Sequence, residues 1–269
     1  MPRNRVSSLA LLCVVFVGAN AAGAELRPET VAAFDQYVQR SEEERASLPF
    51  LRLEKLPAQD RNAAMVRLKD GEIAKALADN GKPIAVPGGL IHDWLGMVFI
   101  PGATLAQTLA FLEDYDNQYK FYAPEVQQSK LIDRQGDHFR IFLRLRKTKV
   151  ITVVLNSEYD VRYSRLDEDH AISESRSTRI AEVENAGKPS EKEKPVGNDS
   201  GFLWRLNSYW RFQQADGGVY VELEAISLTR DIPVGLGWLV TPFVTSIPKE
   251  SVIYTLSKTR QGILGQRER

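Results

Sequence analysis

Apolar and polar residues alternate with a period of two over much of this chain. Phe202, Trp204, Leu206, Trp210 and Phe212 are interleaved with Arg205, Asn207, Tyr209 and Arg211, which predicts a strand with one apolar face. Ala215-Asp216-Gly217-Gly218 follows. Asp-Gly suits a tight type I′ turn, because both central residues need positive φ. Val219, Val221, Leu223 and Ala225 alternate on the way back. A turn centred on Asp216-Gly217 sets Arg211 opposite Glu222 and Trp210 opposite Leu223. Cross-strand pairs of these kinds each contribute roughly 0.2–1 kcal/mol, so the register makes sense on both faces. Further strands are predicted over Leu90–Ile100, Val126–Arg134, His138–Arg146, Val150–Tyr163 and Ala171–Val183. In 138–146 Phe139, Ile141, Leu143 and Leu145 share a face; in 150–163 Ile151, Val153, Leu155, Tyr159, Val161 and Tyr163 do.

Elsewhere the period is helical. Pro28 suits a first turn, and Val31, Phe34 and Val38 form one stripe. A second helix is predicted from about Ala58 to Leu68. Thr104 with Gln107 forms a capping box ahead of Leu105, Leu109 and Leu112. The last helix begins near Ser246-Ile247-Pro248, with Val252, Leu256 and Ile263 as its stripe and Tyr254 beside it. Residues 184–200 are charged, contain Gly and Pro, and read as a surface loop or a lid. Runs of strands with few helices predict an α+β fold. A curved antiparallel sheet grips a long C-terminal helix, after an N-terminal helical extension over 25–82 that packs on the main domain, 84–264.

The first 24 residues stand apart. Arg3 and Arg5 precede the apolar run Leu9–Val17, and Ala22-Gly23-Ala24 is a small-x-small cleavage site. The chain is therefore expected to be exported, periplasmic or secreted, after cleavage near Ala24; the alternative is a retained anchor. Cleavage removes Cys13, the one cysteine, so the core alone holds the fold. Of 35 basic and 35 acidic residues only Arg3 and Arg5 leave, giving 33 against 35 and a net charge of −2. A nucleic-acid partner would favour a basic excess, so none is expected.

Candidate chemistry is sparse. His92, His138 and His170 are widely spaced, so no metal site is predicted. No G-x-S-x-G occurs and no cofactor motif stands out. Tyr159, Trp204, Trp210 and Tyr254 are assigned to the space between sheet and helix, as core filling or as the lining of a cavity. Arg230 beside Asp231 stabilises a turn or marks a pocket entrance. Gly235, Gly237, Trp238 and Phe243 form a hinge or a gate between the last strand and the last helix. Arg211 with Glu222 reads as a solvent-face pair. Arg140, Arg144, Arg146, Lys147 and Lys149 form a basic edge, either charges that keep a sheet from pairing further or a landing patch for anionic headgroups.

The order of elements resembles the START-like (SRPBCC) helix-grip superfamily. The link from Leu112 through Asn117 to Tyr122-Ala123-Pro124-Glu125-Val126 resembles the segment joining its first helices to its second strand. Leu223–Arg260, with Leu228–Pro233 and Ile247–Ser251, resembles secreted bacterial members of unknown function. The resemblance covers about 84–264 and implies an apolar cavity between sheet and terminal helix. It makes the expected partner a lipid or other hydrophobic small molecule, quinone-like for instance, with peripheral membrane contact, and the expected role binding or carriage. A cyclase-like enzyme using Tyr159, Glu224 and Arg230 is the second expectation, and a protein-interaction module with a filled core the third.

Overall fold

The structure, a computed structural model, describes residues 23–77, 82–232, 241 and 246–267. The molecule is built on one antiparallel sheet. In chain order its main strands are β2 (Ala74–Leu77), β3 (Ile84–Val86), β4 (Gly89–Pro101), β5 (Val126–Gln135), β6 (His138–Thr148), β7 (Thr152–Arg165), β8 (His170–Glu184), β11 (Arg205–Ala215) and β12 (Gly218–Arg230). They are ordered β2-β4-β12-β11-β8-β7-β6-β5, and β3 also pairs with β4. Helix α5 (Ile247–Arg267) crosses the inner face, where Val252, Leu256 and Ile263 are buried. This is a helix-grip arrangement, α+β with a curved antiparallel sheet and a C-terminal helix.

The hairpin register is the one its turn dictates. Asp216 and Gly217 have φ of 55° and 76°, as a type I′ turn requires, and Arg211 faces Glu222 while Trp210 faces Leu223. Helix α3 (Leu105–Glu113) opens on the expected box: Gln107 N donates to Thr104 Oγ1 at 3.2 Å and Thr104 N to Gln107 Oε1 at 3.1 Å. A short helix α4 (Gln118–Phe121) follows. Gly262 lets α5 meet α3, since a Cβ there would sit 2.4 Å from the Phe111 ring.

The outer face of the sheet is covered too. Helix α1 (Pro28–Ala46) lays Phe34 and Val38 against Ile91, Tyr209, Ile226 and Leu228. Beyond it, Leu51 and Leu68, the latter from α2 (Ala58–Lys69), pack on Met97, Phe99 and Tyr220. Strand β12 is consequently buried on both sides, like the central strand of a layered α/β fold. The pairing of Arg211 with Glu222 as a solvent-face pair is corrected here. The register holds, but the face lies under the N-terminal arm, and Glu222 is 3% exposed. Arg211 instead donates to Arg45 O, Pro49 O and Phe50 O at 2.9, 2.9 and 2.7 Å. Glu224 takes Arg45 Nε and Arg52 Nη2, each at 2.7 Å, and Glu222 takes the Arg52 backbone N–H at 2.7 Å. The charged residues of this face thus clamp the arm.

Residues 184–200 are less irregular than expected. Strand β9 (Lys192–Glu193) pairs with β8, and β10 (Asn198–Asp199) pairs with β1 (Ala24–Glu25). Glu191 takes Arg144, Glu193 takes Arg179 and Glu182 takes Lys194, so the segment is tied along the sheet rather than laid over a pocket.

Candidate functional site

Between the inner face of the sheet and α5 lies a cavity of about 270 Å³, many times the room one water needs. Among the described residues, side chains leave this space open rather than packing it shut. Its floor is built from small residues on alternate positions of three neighbouring strands: Ser173 and Ser175 of β8, Ser208 of β11, and Ala225 and Ser227 of β12. Ser175 and Ser208 are cross-strand partners, as are Ser208 and Ala225. Bulky residues at these positions would close the space. The side walls are apolar, with Ile141, Leu143, Leu155 and Val161 from β6 and β7 and Val252 from α5. The lining follows β7 from Val153 to Tyr163. The arm over 23–77 contributes nothing to the lining.

Five phenols reach the chamber. The hydroxyls of Tyr115 and Tyr163 bond each other at 2.9 Å, and that of Tyr122 bonds Thr259 Oγ1 at 2.8 Å. Tyr254 donates to the Tyr122 and Ala123 carbonyls. The hydroxyl of Tyr159, a residue 4% exposed, has no partner among the described residues. Burial pushes the Tyr159 phenol up to about 12, a rise that Ser157 only tempers. Burial also raises Tyr115, Tyr122 and Tyr163. None of them is a base near neutral pH. One end of the chamber carries an ion pair, Lys147 with Glu125. Burial pushes the Lys147 ammonium down and Glu125 pulls it back. His92 stands on β4 beside the floor, opposite Ser227, its Nε2 3.0 Å from the hydroxyl of Thr229, and burial lowers it to about 4, which keeps it neutral.

The residues named from the sequence divide into three groups. Tyr159, Trp210 and Tyr254 come together in the cavity wall. Trp204 and Arg230 do not line it, which corrects both assignments. Strand alternation begins only at Arg205, and Trp204 turns to the outer cluster with Phe34 and Val38, its Nε1 donating to Asp199 Oδ1 at 3.0 Å. In β12 the inward row is Leu223, Ala225, Ser227 and Thr229, so Arg230 faces away and donates to Ser200 O at 3.4 Å. Trp238 and Phe243, with Gly235 and Gly237, lie outside the described residues. The cyclase set is dispersed as well: Tyr159 is inside, Glu224 is held by Arg45 and Arg52 on the opposite face, and Arg230 is outside the wall. The basic edge is split by strand alternation. Lys147 faces the chamber, Arg144 faces out to Glu191, and Lys149 meets Glu250.

Sequence reasoning missed the serine floor and the Lys147–Glu125 pair. The signal was present, since Ala171, Ser173, Ser175 and Ser177 put only small residues on one face of a strand.

No family model and no curated protein matches the chain. Among solved structures it is similar to the STAR-related lipid transfer protein of Xanthomonas axonopodis, at 15% identity and TM-score 0.46 over 72% of this chain and 98% of that one. It is similar to human STARD10 at 12% identity and TM-score 0.44, over 80% and 82%. It is also similar to the Zhui aromatase/cyclase of a Streptomyces species at 14% identity and TM-score 0.42, over 66% and 96%.

Proposed function

We propose that this protein is an exported binding or carrier module that holds an apolar or amphipathic small molecule, lipid or quinone-like, between its sheet and its terminal helix. The observation that carries the reading is the chamber of about 270 Å³ with apolar walls and a floor of small residues. Its size is near the ~300 Å³ lower bound of ordinary ligand pockets. Apolar surface enclosed this way favours a greasy guest by roughly 25 cal/mol for each Å² it removes from water. The described groups at the wall favour holding over reacting. The phenols stay protonated, and the one ionic pair, Lys147 with Glu125, is bonded to itself. Export rests on Arg3, Arg5, the apolar run Leu9–Val17 and Ala22-Gly23-Ala24. Contact with a bilayer would be made at the end of the chamber near Ile247 and Pro248, beside the turn that exposes Val150.

Native mass spectrometry of protein purified from its own host, followed by extraction of bound organics, tests the reading. A reproducible hydrophobic adduct is expected. An empty protein that also fails to bind fluorescent fatty-acid and quinone probes would overturn it.

A further inference from the structure

We propose that the guest of this chamber carries a neutral hydrogen-bonding oxygen, a hydroxyl or carbonyl on an otherwise apolar frame, and that Tyr159 donates to it. The inference rests on the carrier reading above and names the chemistry of its ligand.

Among the described residues, two buried side-chain atoms lack a hydrogen-bond partner, Asp93 Oδ1 and the Tyr159 hydroxyl. Asp93 belongs to the outer face, where its other oxygen takes Tyr37 at 2.8 Å. Tyr159 belongs to the chamber wall. The other phenols of the wall are each bonded within the protein, so Tyr159 is the wall phenol left with an unspent donor, its oxygen tucked beneath the surface of the chamber that its ring lines.

No described neighbour meets the Tyr159 hydroxyl at hydrogen-bond geometry, although Ser157 lies near enough to temper its rise. Ser157, two residues back on the same face, donates to Leu143 O at 2.9 Å. Ser177, directly opposite Tyr159 on β8, accepts the Leu206 N–H at 2.9 Å. A buried donor left unmade costs the equivalent of roughly tenfold to a hundredfold in an equilibrium constant, and a ligand oxygen would recover it. The floor supports such a group, because Ser175 stands opposite Val161 on the strand of Tyr159 and faces Ser208 on its other side.

The same surroundings select against a charged head at this depth. The cation of the described wall, Lys147, is already bonded to Glu125, and an isolated carboxylate buried among Ile141, Leu155 and Val161 would lack a counter-charge. A hydroxyl or carbonyl meets the requirement, whereas a plain hydrocarbon leaves the phenol unpaired. The competing occupant is an ordered water bonded to Tyr159.

The test is a double-mutant cycle on the full chain with naphthalene and 2-naphthol, which share a frame and differ by one oxygen. Dissociation constants are measured for both probes with the wild type and with Tyr159→Phe, a change that removes only the unpaired hydroxyl. The ratio of the two constants is expected to shift by roughly fivefold to tenfold in the variant, with the loss confined to 2-naphthol. Without any probe, Tyr159→Phe is expected to melt above the wild type, because it deletes an unsatisfied donor. If both probes bind and the ratio is the same in the two proteins, the oxygen inference falls and the carrier reading stands. A lower melting temperature for the unliganded variant would assign the hydroxyl to a water or to the protein itself, and also overturns it. If neither probe binds the wild type, the oxygen inference falls, and the carrier reading is then decided by the adduct and by the fatty-acid and quinone probes.

Discussion

Ser175 and Ser208 stand directly opposite each other across β8 and β11, and both line the chamber. Two small side chains in register leave a hollow where large ones would meet α5. Ser208→Phe is therefore expected to fill the space. Because the new ring enters a void, stability should change by no more than about 1 kcal/mol, less than overpacking a tight core costs. Binding of a fluorescent fatty-acid or quinone probe should weaken by roughly tenfold or more through steric exclusion. Parallel thermal melts and probe titrations check this. Unweakened binding would place the guest elsewhere.

Glu224 holds the N-terminal arm by two arginines from separate elements, Arg45 at the end of α1 and Arg52 beyond it. Its side chain is 4% exposed, so deleting it strips two half-buried guanidinium groups, Arg45 and Arg52, of their carboxylate. Glu224→Ala should cost about 3–5 kcal/mol in urea unfolding. The chamber lies on the other side of the sheet, so probe affinity in the folded variant should stay within about twofold of wild type.

Burial pushes the carboxyls of Asp93 and Glu222 up to about 7. Both folded values exceed the unfolded ones, so the folded state binds more protons between about pH 4 and pH 7. The contribution of these groups is fully present below pH 4 and is lost as pH rises through about 7. Melting temperature should accordingly fall from pH 5 to pH 8. Asp93→Asn, which keeps an acceptor for Tyr37, should flatten that slope and gain about 1–2 kcal/mol at pH 8. An unchanged pH profile in the variant would remove Asp93 from this role.

Trp210 lines the chamber, stacked on Phe212 with ring centroids 6.0 Å apart, while Trp204 is buried under α1. Binding of a non-fluorescent guest should perturb tryptophan emission. Trp210→Phe should remove most of that change and Trp204→Phe should leave it, as titrations of the two variants would show.

Much of this architecture is legible in the amino-acid sequence. The Asp216-Gly217 turn fixes the hairpin register, because only one pairing matches a two-residue loop. Thr104 and Gln107 announce their helix by their spacing, and Val252, Leu256 and Ile263 announce theirs. The outer face was not legible. Arg211, Glu222 and Glu224 look solvated in a single strand, and their partners come from residues 45–52, more than 150 positions away. Trp204 misled because strand alternation was extended one residue beyond the point where β11 begins. The orphan hydroxyl of Tyr159 could not be read from the chain, since it depends on where Ser157 and Ser177 spend their own hydrogen bonds.

The coating of β12 on both sides has a practical corollary for anyone trimming this chain. A version starting near Ile84 would keep every strand from β3 onward, yet it would turn Ile91, Tyr220, Ile226 and Leu228 toward water beside a Glu224 carboxylate robbed of both its arginines. Such a truncation is expected to precipitate, because the greasy outer wall would become an adhesive patch between molecules.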